Sequence, residues 1–294
     1  MRLWCARHGS CRQLSCTKIL SRPSVLEFSP DGNFIGVGTE LGELIIITCS
    51  HINSNITHSN QEVEWTVALR RFISSRHKQK VGVNNQVIAE RKNPSVSKVS
   101  AGCNSIEITC LKYSPSGTVL AVGCRDKLIH ILSVSGGYKR VALCRGHSSF
   151  PRHIDFSCDE LYIQSNDAIR EILYWNVSTG ERERNSKLRN ALFHTWTCVY
   201  GWFSQGVQNG ILGVDEGDIY AVNRSKHGDL LVAGGSNTVD GSVKLFRFPC
   251  LNDAIPIVYT GHTSPVVDVS FLAADEMVVS IGGNDMSIFL WNVV

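Results

Sequence analysis

Ten histidines and eleven cysteines offer the most chemistry in this sequence, and their spacing decides whether any of it is used. A zinc site needs thiolates and imidazoles converging from close positions, as in C-x-x-C or H-E-x-x-H. Neither pattern occurs, and no other Cys and His spacing matches a zinc site. The cysteines are odd in number and scattered (Cys5, Cys11, Cys16, Cys49, Cys103 and onward), so they form no disulfide framework. The opening residues MRLWCARHGS contain no apolar stretch of the secretory kind, so reduced thiols are expected. The sequons at Asn55 and Asn176 then carry no expectation of glycosylation.

Other catalytic signatures fail in the same way. No G-x-x-x-x-G-K-[ST] loop is present to cradle phosphates, and no G-x-S-x-G elbow to raise a nucleophilic serine. The glycine-rich Val232-Ala-Gly-Gly-Ser run reads as strand and turn, without the helix a dinucleotide site requires. The expectation is a chain that is not an enzyme, with no cofactor and no metal. A net charge of +3 is too small to point to nucleic acid, and no apolar run approaches the ~20 residues of a membrane span.

The elements behind these residues show a rhythm. Six short β-rich runs end in a bulky apolar residue, at Trp4, Ile47, Leu132, Trp175, Phe246 and Trp291. The intervals are 43, 85, 43, 71 and 45 residues. Three fit the ~40–45-residue period of a four-stranded propeller blade, and the other two are that period with an insertion. FSPDGNFIGVGTELGELIII (28–47) and YSPSGTVLAVGCRDKLIHIL (113–132) share one plan of strand, Ser-Pro-x-Gly turn, strand, turn, strand. Proline presets φ and glycine tolerates positive φ, so the turn has a mechanical cause. Helical periodicity is weak, and Val, Ile and Leu fill the strands, as buried sheet positions demand.

Gly146-His147 and Gly261-His262 open two repeats that close at Trp175-Asn176 and Trp291-Asn292. An Asp stands six residues before the closing position at Asp126, Asp240 and Asp285, whereas Leu41 and Ile169 replace it in two repeats. The set resembles the WD40 repeat, with Asn where that family's name expects Asp. The resemblance implies an all-β, WD40-type β-propeller over residues 1–294. About five blades are visible, with a leading partial blade, as expected of part of a larger or tandem propeller. It also implies that His147 and His262 join a structural hydrogen-bond network toward Trp175 and Trp291. The turns at Leu41 and Ile169 are expected to lack a side-chain anchor. The first strands are expected to close the last blade, because an open edge is a pairing liability. His153 and His194 are expected to pack rather than ligate.

In the second half, GHSSFPRHIDFS (146–157), EILYW (171–175), TWTCVYGW (195–202), GDIYAVNRS (217–225), KLFRFPC (244–250) and YTGHTSPVVDVSF (259–271) follow in order. In order and spacing they resemble the C-terminal propeller of the echinoderm microtubule-associated protein-like family, best from about residue 105 onward. That resemblance implies a scaffold partnering tubulin or microtubules, in the cytoplasm and cytoskeleton, with the ciliary axoneme as one setting. A WD40 adaptor for a non-tubulin complex is the alternative, since fold does not fix partner. Residues 51–104 depart from the pattern by insertion. Within them EVEWTVALRRFI (62–73) is expected to supply an outer strand, and 74–104 is expected to be a polar, basic, disordered stretch carrying Arg76, Lys78, Lys80, Arg91, Lys92 and Lys98, with a degenerate blade as the alternative. The sharper expectation makes that stretch a contact for acidic tubulin surfaces. Of the six tryptophans, Trp196 and Trp202 are the least explained, and an exposed aromatic anchor is one role for either.

Overall fold

A computed structural model describes residues 2–7, 10–16, 19, 21–49, 65–73, 106–188, 191–207, 218–235, 241–251, 254–272 and 275–293. Among the described residues it is all-β apart from one helical turn, α1 (Asn185–Leu188), and one 3-10 segment at Trp202–Val207. The strands form antiparallel sheets in chain order, as a propeller requires. A hairpin of β1 (Arg2–Arg7) and β2 (Ser10–Cys16) leads. The first blade is β3 (Pro23–Phe28), β4 (Phe34–Thr39), β5 (Glu43–Cys49) and β6 (Trp65–Phe72). The second is β7 (Ile108–Tyr113), β8 (Val119–Cys124), β9 (Leu128–Ser133) and β10 (Lys139–Arg145).

The third blade is β11 (Pro151–Phe156), β12 (Tyr162–Asp167), β13 (Ile172–Asn176) and β14 (Arg182–Glu183). The fourth is β15 (Ile219–Arg224), β16 (Leu230–Gly235), β17 (Gly241–Arg247) and β18 (Ile257–His262). The fifth has three strands, β19 (Val266–Phe271), β20 (Met277–Gly282) and β21 (Ile288–Asn292). Five blades and a leading partial sheet thus stand where the 43-residue rhythm places them, and β6 is the outer strand expected of 62–73. The expected closure of the last blade by the first strands does not occur. β1 pairs with β2 in a sheet of their own, and the outer edge of β21 is unpaired among the described residues.

The core lies between neighbouring blades. Leu44 and Ile46 pack against Ile108, Leu120 and Val122 of the second blade. Ile129 and Ile131 pack on Ile154, Phe156, Leu173 and Trp175 of the third. A middle strand is covered on both faces, so Ile45, Ile46 and Ile47 are all within 1% of fully buried, and the run reads apolar without alternation. Burying each such side chain contributes about 1.5–3 kcal/mol.

Two devices recur in every blade. The turn after each inner strand closes by the same backbone pair, Ser29 N to Phe34 O and Gly32 N to Ser29 O in the first blade. Ser114, Ser157 and Ser225 repeat it, and each serine oxygen also accepts from the strand that follows. Near its start each inner strand also carries a β-bulge, between Pro23 and Val25, Ile108 and Cys110, Pro151 and His153, Ile219 and Ala221, and Val266 and Asp268. A bulge turns the extra residue away from the ladder and re-aims its side chain. That residue is Ser24, Thr109, Arg152, Tyr220 or Val267.

Between the third and fourth blades runs a strap, residues 191–207, which accounts for the 71-residue interval. Its Phe193, Trp196, Val199 and Val207 share one core with Tyr174 of the third blade and Leu231 and Phe246 of the fourth. At Gly206 an added Cβ would stand 1.8 Å from the Leu251 carbonyl oxygen, so the strap passes where only glycine fits.

Candidate functional site

A hydrogen-bonded triad holds the third blade and a tetrad the fifth. In the third blade Trp175 Nε1 donates to Ser165 Oγ at 2.8 Å, and that hydroxyl meets His147 Nε2 at 2.7 Å. In the fifth, Trp291 Nε1 donates to Ser280 Oγ at 2.8 Å, and Ser280 meets His262 Nε2 at 2.7 Å. His262 Nδ1 lies 3.2 Å from Asp285, so the chain runs indole, hydroxyl, imidazole, carboxylate. Burial opposes ionisation of Asp285, but hydrogen bonds from Ser287, Thr263 and His262 outweigh it and hold its pKa at about 2. Burial pulls the His147 pKa down, against Asp167 and Glu171 at 3.7 and 3.8 Å. His147, Trp175, His262, Asp285 and Trp291 therefore sit together as the repeat pattern implies, as blade fasteners. Sequence reasoning missed Ser165 and Ser280, whose signal is a serine ten or eleven residues before the closing Trp.

The turns at Leu41 and Ile169 do not lack an anchor. Asp167, two residues before Ile169, accepts from Ser149 N, Ile169 N and Glu171 N. Thr39, two residues before Leu41, accepts from Glu43 N through its hydroxyl. The anchor is displaced toward the strand, where a fixed offset does not find it. Asp126 accepts from Leu128 N as a turn residue should, and burial raises its pKa. Asp240 lies outside the described residues.

Asp155, fully sealed, joins strap to blade. Its oxygens accept from Thr195 Oγ1, Thr197 N and Oγ1, Cys198 N and Gln164 Nε2, all within 2.7–3.2 Å. Burial works against the charge, but the Lys112 ammonium and these donors outweigh it, so its pKa stays below the ordinary value. Lys112 in turn meets Glu27 at 3.0 Å, and these two carboxylates raise its pKa against burial. The inner strands thus carry Glu27, Lys112 and Asp155 at one level, one ammonium between two carboxylates.

The histidines and tryptophans resolve individually. His153 is half-buried with Nδ1 sealed from solvent, while Nε2 meets Tyr220 O at 3.1 Å. Burial lowers its pKa to about 4. His194, expected to pack, is exposed; only its backbone is held, by Phe156 O and Arg224. Trp196 is 2% exposed among Phe193, Phe203 and Phe248, with ring centres 5.5–6.0 Å away, so it is core and no exposed anchor. Trp202 is half-buried in the 3-10 segment. Arg76, Lys78, Lys80, Arg91, Lys92 and Lys98 lie outside the described residues.

Spacing does not flag Cys124, Asp126 and His130, yet each brings a candidate ligand atom within 4.8 Å of the others. Burial, then Arg140 and Arg145, pull the His130 pKa to about 4. Arg140 donates to His130 Nδ1 at 3.4 Å, which leaves the proton of a neutral ring on Nε2. Two guanidinium groups and a protonated Nε2 are a poor setting for a cation.

An open concavity among the described residues lies instead where the inner strands begin. Ser24, Glu107, Thr109, Arg125, Phe150, Arg152 and His153 line a cleft of about 300 Å³. Three of them, Ser24, Thr109 and Arg152, are bulge residues, so the recurring bulge builds the cleft. Ser24 and Thr109 donate to Ile108 O and Pro151 O of the next blade, both at 2.6 Å. The Arg125 guanidinium carbon lies 4.6 Å from the centre of the Phe150 ring and that of Arg152 5.8 Å. Arg125 pairs with Glu107 at 3.0 Å. At the same end Arg22 pairs with Glu40 at 3.3 Å, and Arg170 with Asp218. The arrangement can bind; nothing in it pairs a nucleophile with a base.

Comparison with known proteins places these features. The family model described as the Echinoderm microtubule-associated protein second beta-propeller matches residues 72–293. The chain is 34% identical over 276 residues to human Echinoderm microtubule-associated protein-like 3, covering 88% of this chain and 30% of that protein. It is 38% identical over 192 residues to rat Echinoderm microtubule-associated protein-like 2, covering 64% and 29%. The chain therefore spans under a third of these relatives' length. In shape it is similar to a chain in the crystal structure of the mitotic checkpoint complex, with TM-score 0.64 and 14% identity, covering 97% of this chain and 78% of that one.

Proposed function

The chain belongs to the echinoderm microtubule-associated protein family, and on that premise we propose that it is a non-enzymatic scaffold that associates with microtubules or tubulin through propeller surfaces. The observation that carries this is the match of residues 72–293 to the family's second β-propeller. It is supported by relatives 34–40% identical whose names state microtubule association. The side chains fit a binding role. Ser165, Ser280 and Asp155 are spent on holding the fold, and the cleft at the inner-strand starts offers arginines and an aromatic ring. The location that goes with this reading is the cytoplasmic microtubule array, axonemal microtubules included. The basic stretch at 74–104, with Arg76, Lys78, Lys80, Arg91 and Lys92, adds a second cationic contact in the same proposal.

Co-sedimentation with polymerised microtubules and capture of soluble tubulin test it. Enrichment in either that weakens as salt rises is the expected outcome, because the contacts invoked are cationic. A chain left in the supernatant and failing to capture tubulin would overturn it.

A further inference from the structure

The cleft at the inner-strand starts has charge to spare. Arg125 is neutralised by Glu107, but Arg152 is exposed and forms no ion pair among the described residues. His153 beside it is neutral at pH 7, because burial pulls its pKa to about 4. The hydroxyls of Ser24 and Thr109 are committed to carbonyls of the next blade. Arg152 therefore remains as the fork with unneutralised charge, beside the paired Arg125, and both guanidinium groups approach the Phe150 ring.

A planar fork with parallel N–H groups matches a carboxylate in two-point geometry. A cleft of about 300 Å³ is at the small end for ligand sites, with room for one or two side chains. With Glu107 pairing Arg125, one unneutralised guanidinium remains, too little charge for a polyphosphate, and a nucleic-acid backbone calls for an extended basic groove that a chain of net charge +3 does not suggest. An extended segment with carboxylate side chains satisfies all of these conditions, its methylenes lying on Phe150.

We propose that the cleft formed by Arg125, Phe150 and Arg152 binds an acidic peptide segment, with Arg152 as the principal fork. The proposal deepens the reading above, on which it rests, by naming the chemistry of the segment that a partner presents. Sequence alone does not find it, because Arg152 reaches the cleft through a bulge whose place depends on the register of the neighbouring strand.

Anisotropy titration of the full chain with a short labelled glutamate-rich peptide tests it. The control is the same peptide with glutamine at every glutamate, and inorganic phosphate serves as competitor. Binding of the glutamate peptide alone is expected, weakened about tenfold or more by Arg152→Ala. Arg152→Lys should keep part of it, and both variants should melt with the parent, since the side chain is exposed. Equal binding of the glutamine peptide, displacement by equimolar phosphate, or an unchanged affinity in Arg152→Ala would overturn the proposal. Co-sedimentation and tubulin capture are read separately: a chain that holds the peptide but neither sediments nor captures tubulin overturns only the microtubule reading. Sedimentation that persists while the peptide results fail overturns only the cleft.

Discussion

A single hydroxyl in the third blade stands between an imidazole and an indole that solvent does not reach: Ser165, between His147 and Trp175. Replacing it by alanine strands two buried polar groups, at about 1–3 kcal/mol each. Ser165→Ala is therefore expected to cost roughly 2–6 kcal/mol, read as a lower urea midpoint. Ser280→Ala, the same change in the fifth blade, should cost less, because its Trp291 is only half-buried and water can replace the lost partner. Equal losses would contradict this account. The Gly-His and Trp-Asn pairs made both fasteners legible in the sequence. Their serines and Asp167 were not, since a hydrogen bond needs a place in space rather than an offset in sequence. The third blade takes its carboxylate two residues after its serine, and the fifth takes it five after.

Among the elements, the strap at 191–207 carries the most structure for the least regular backbone. It lies against the third blade through Asp155, and through the paired bonds of Asn166 with the backbone of Tyr200, 2.8 Å from its N–H and 3.3 Å to its carbonyl. Asp155→Asn would turn an amide donor toward groups that are themselves donors. The expected result is a loss of about 3 kcal/mol or more and faster limited proteolysis within 191–207, mapped by mass spectrometry. A variant cut at the parent rate would count against this anchoring role. Strands, turns and blade order were legible because each repeats a local pattern. The strap was visible in the sequence only as an over-long interval. The bulges were not visible, since a bulge exists only relative to a partner strand.

At the scale of the whole molecule, acid acts in two stages. His130, 1% exposed, and His153 have folded pKa values of about 4, below the ordinary value of about 6.5. Their stabilisation is fully present above pH 6.5 and is lost as pH falls toward 4, at up to about 1.4 kcal/mol per pH unit for each. Asp155, Asp275 and Asp285 are held below the ordinary carboxyl value, so their contribution persists above about pH 4 and is lost only below it. Urea midpoints should therefore decline between pH 6.5 and 4 and again below. His130→Gln should reduce the first decline by about half, leaving the share of His153, and leave the second. A midpoint constant from pH 7 to 4 would refute the assignment.

The unpaired edge of β21 gives the molecule an optical property. Trp175 and Trp291 sit in like hydrogen-bonded settings, one 0% exposed under β14 and the other half in view of solvent beside an uncovered strand. The pair forms a built-in comparison of two indoles. With the other four tryptophans replaced by phenylalanine, a strand added along β21, whose outer edge is unpaired among the described residues, would change the emission colour of Trp291 and leave that of Trp175 as the reference, so pairing at that edge can be followed by light.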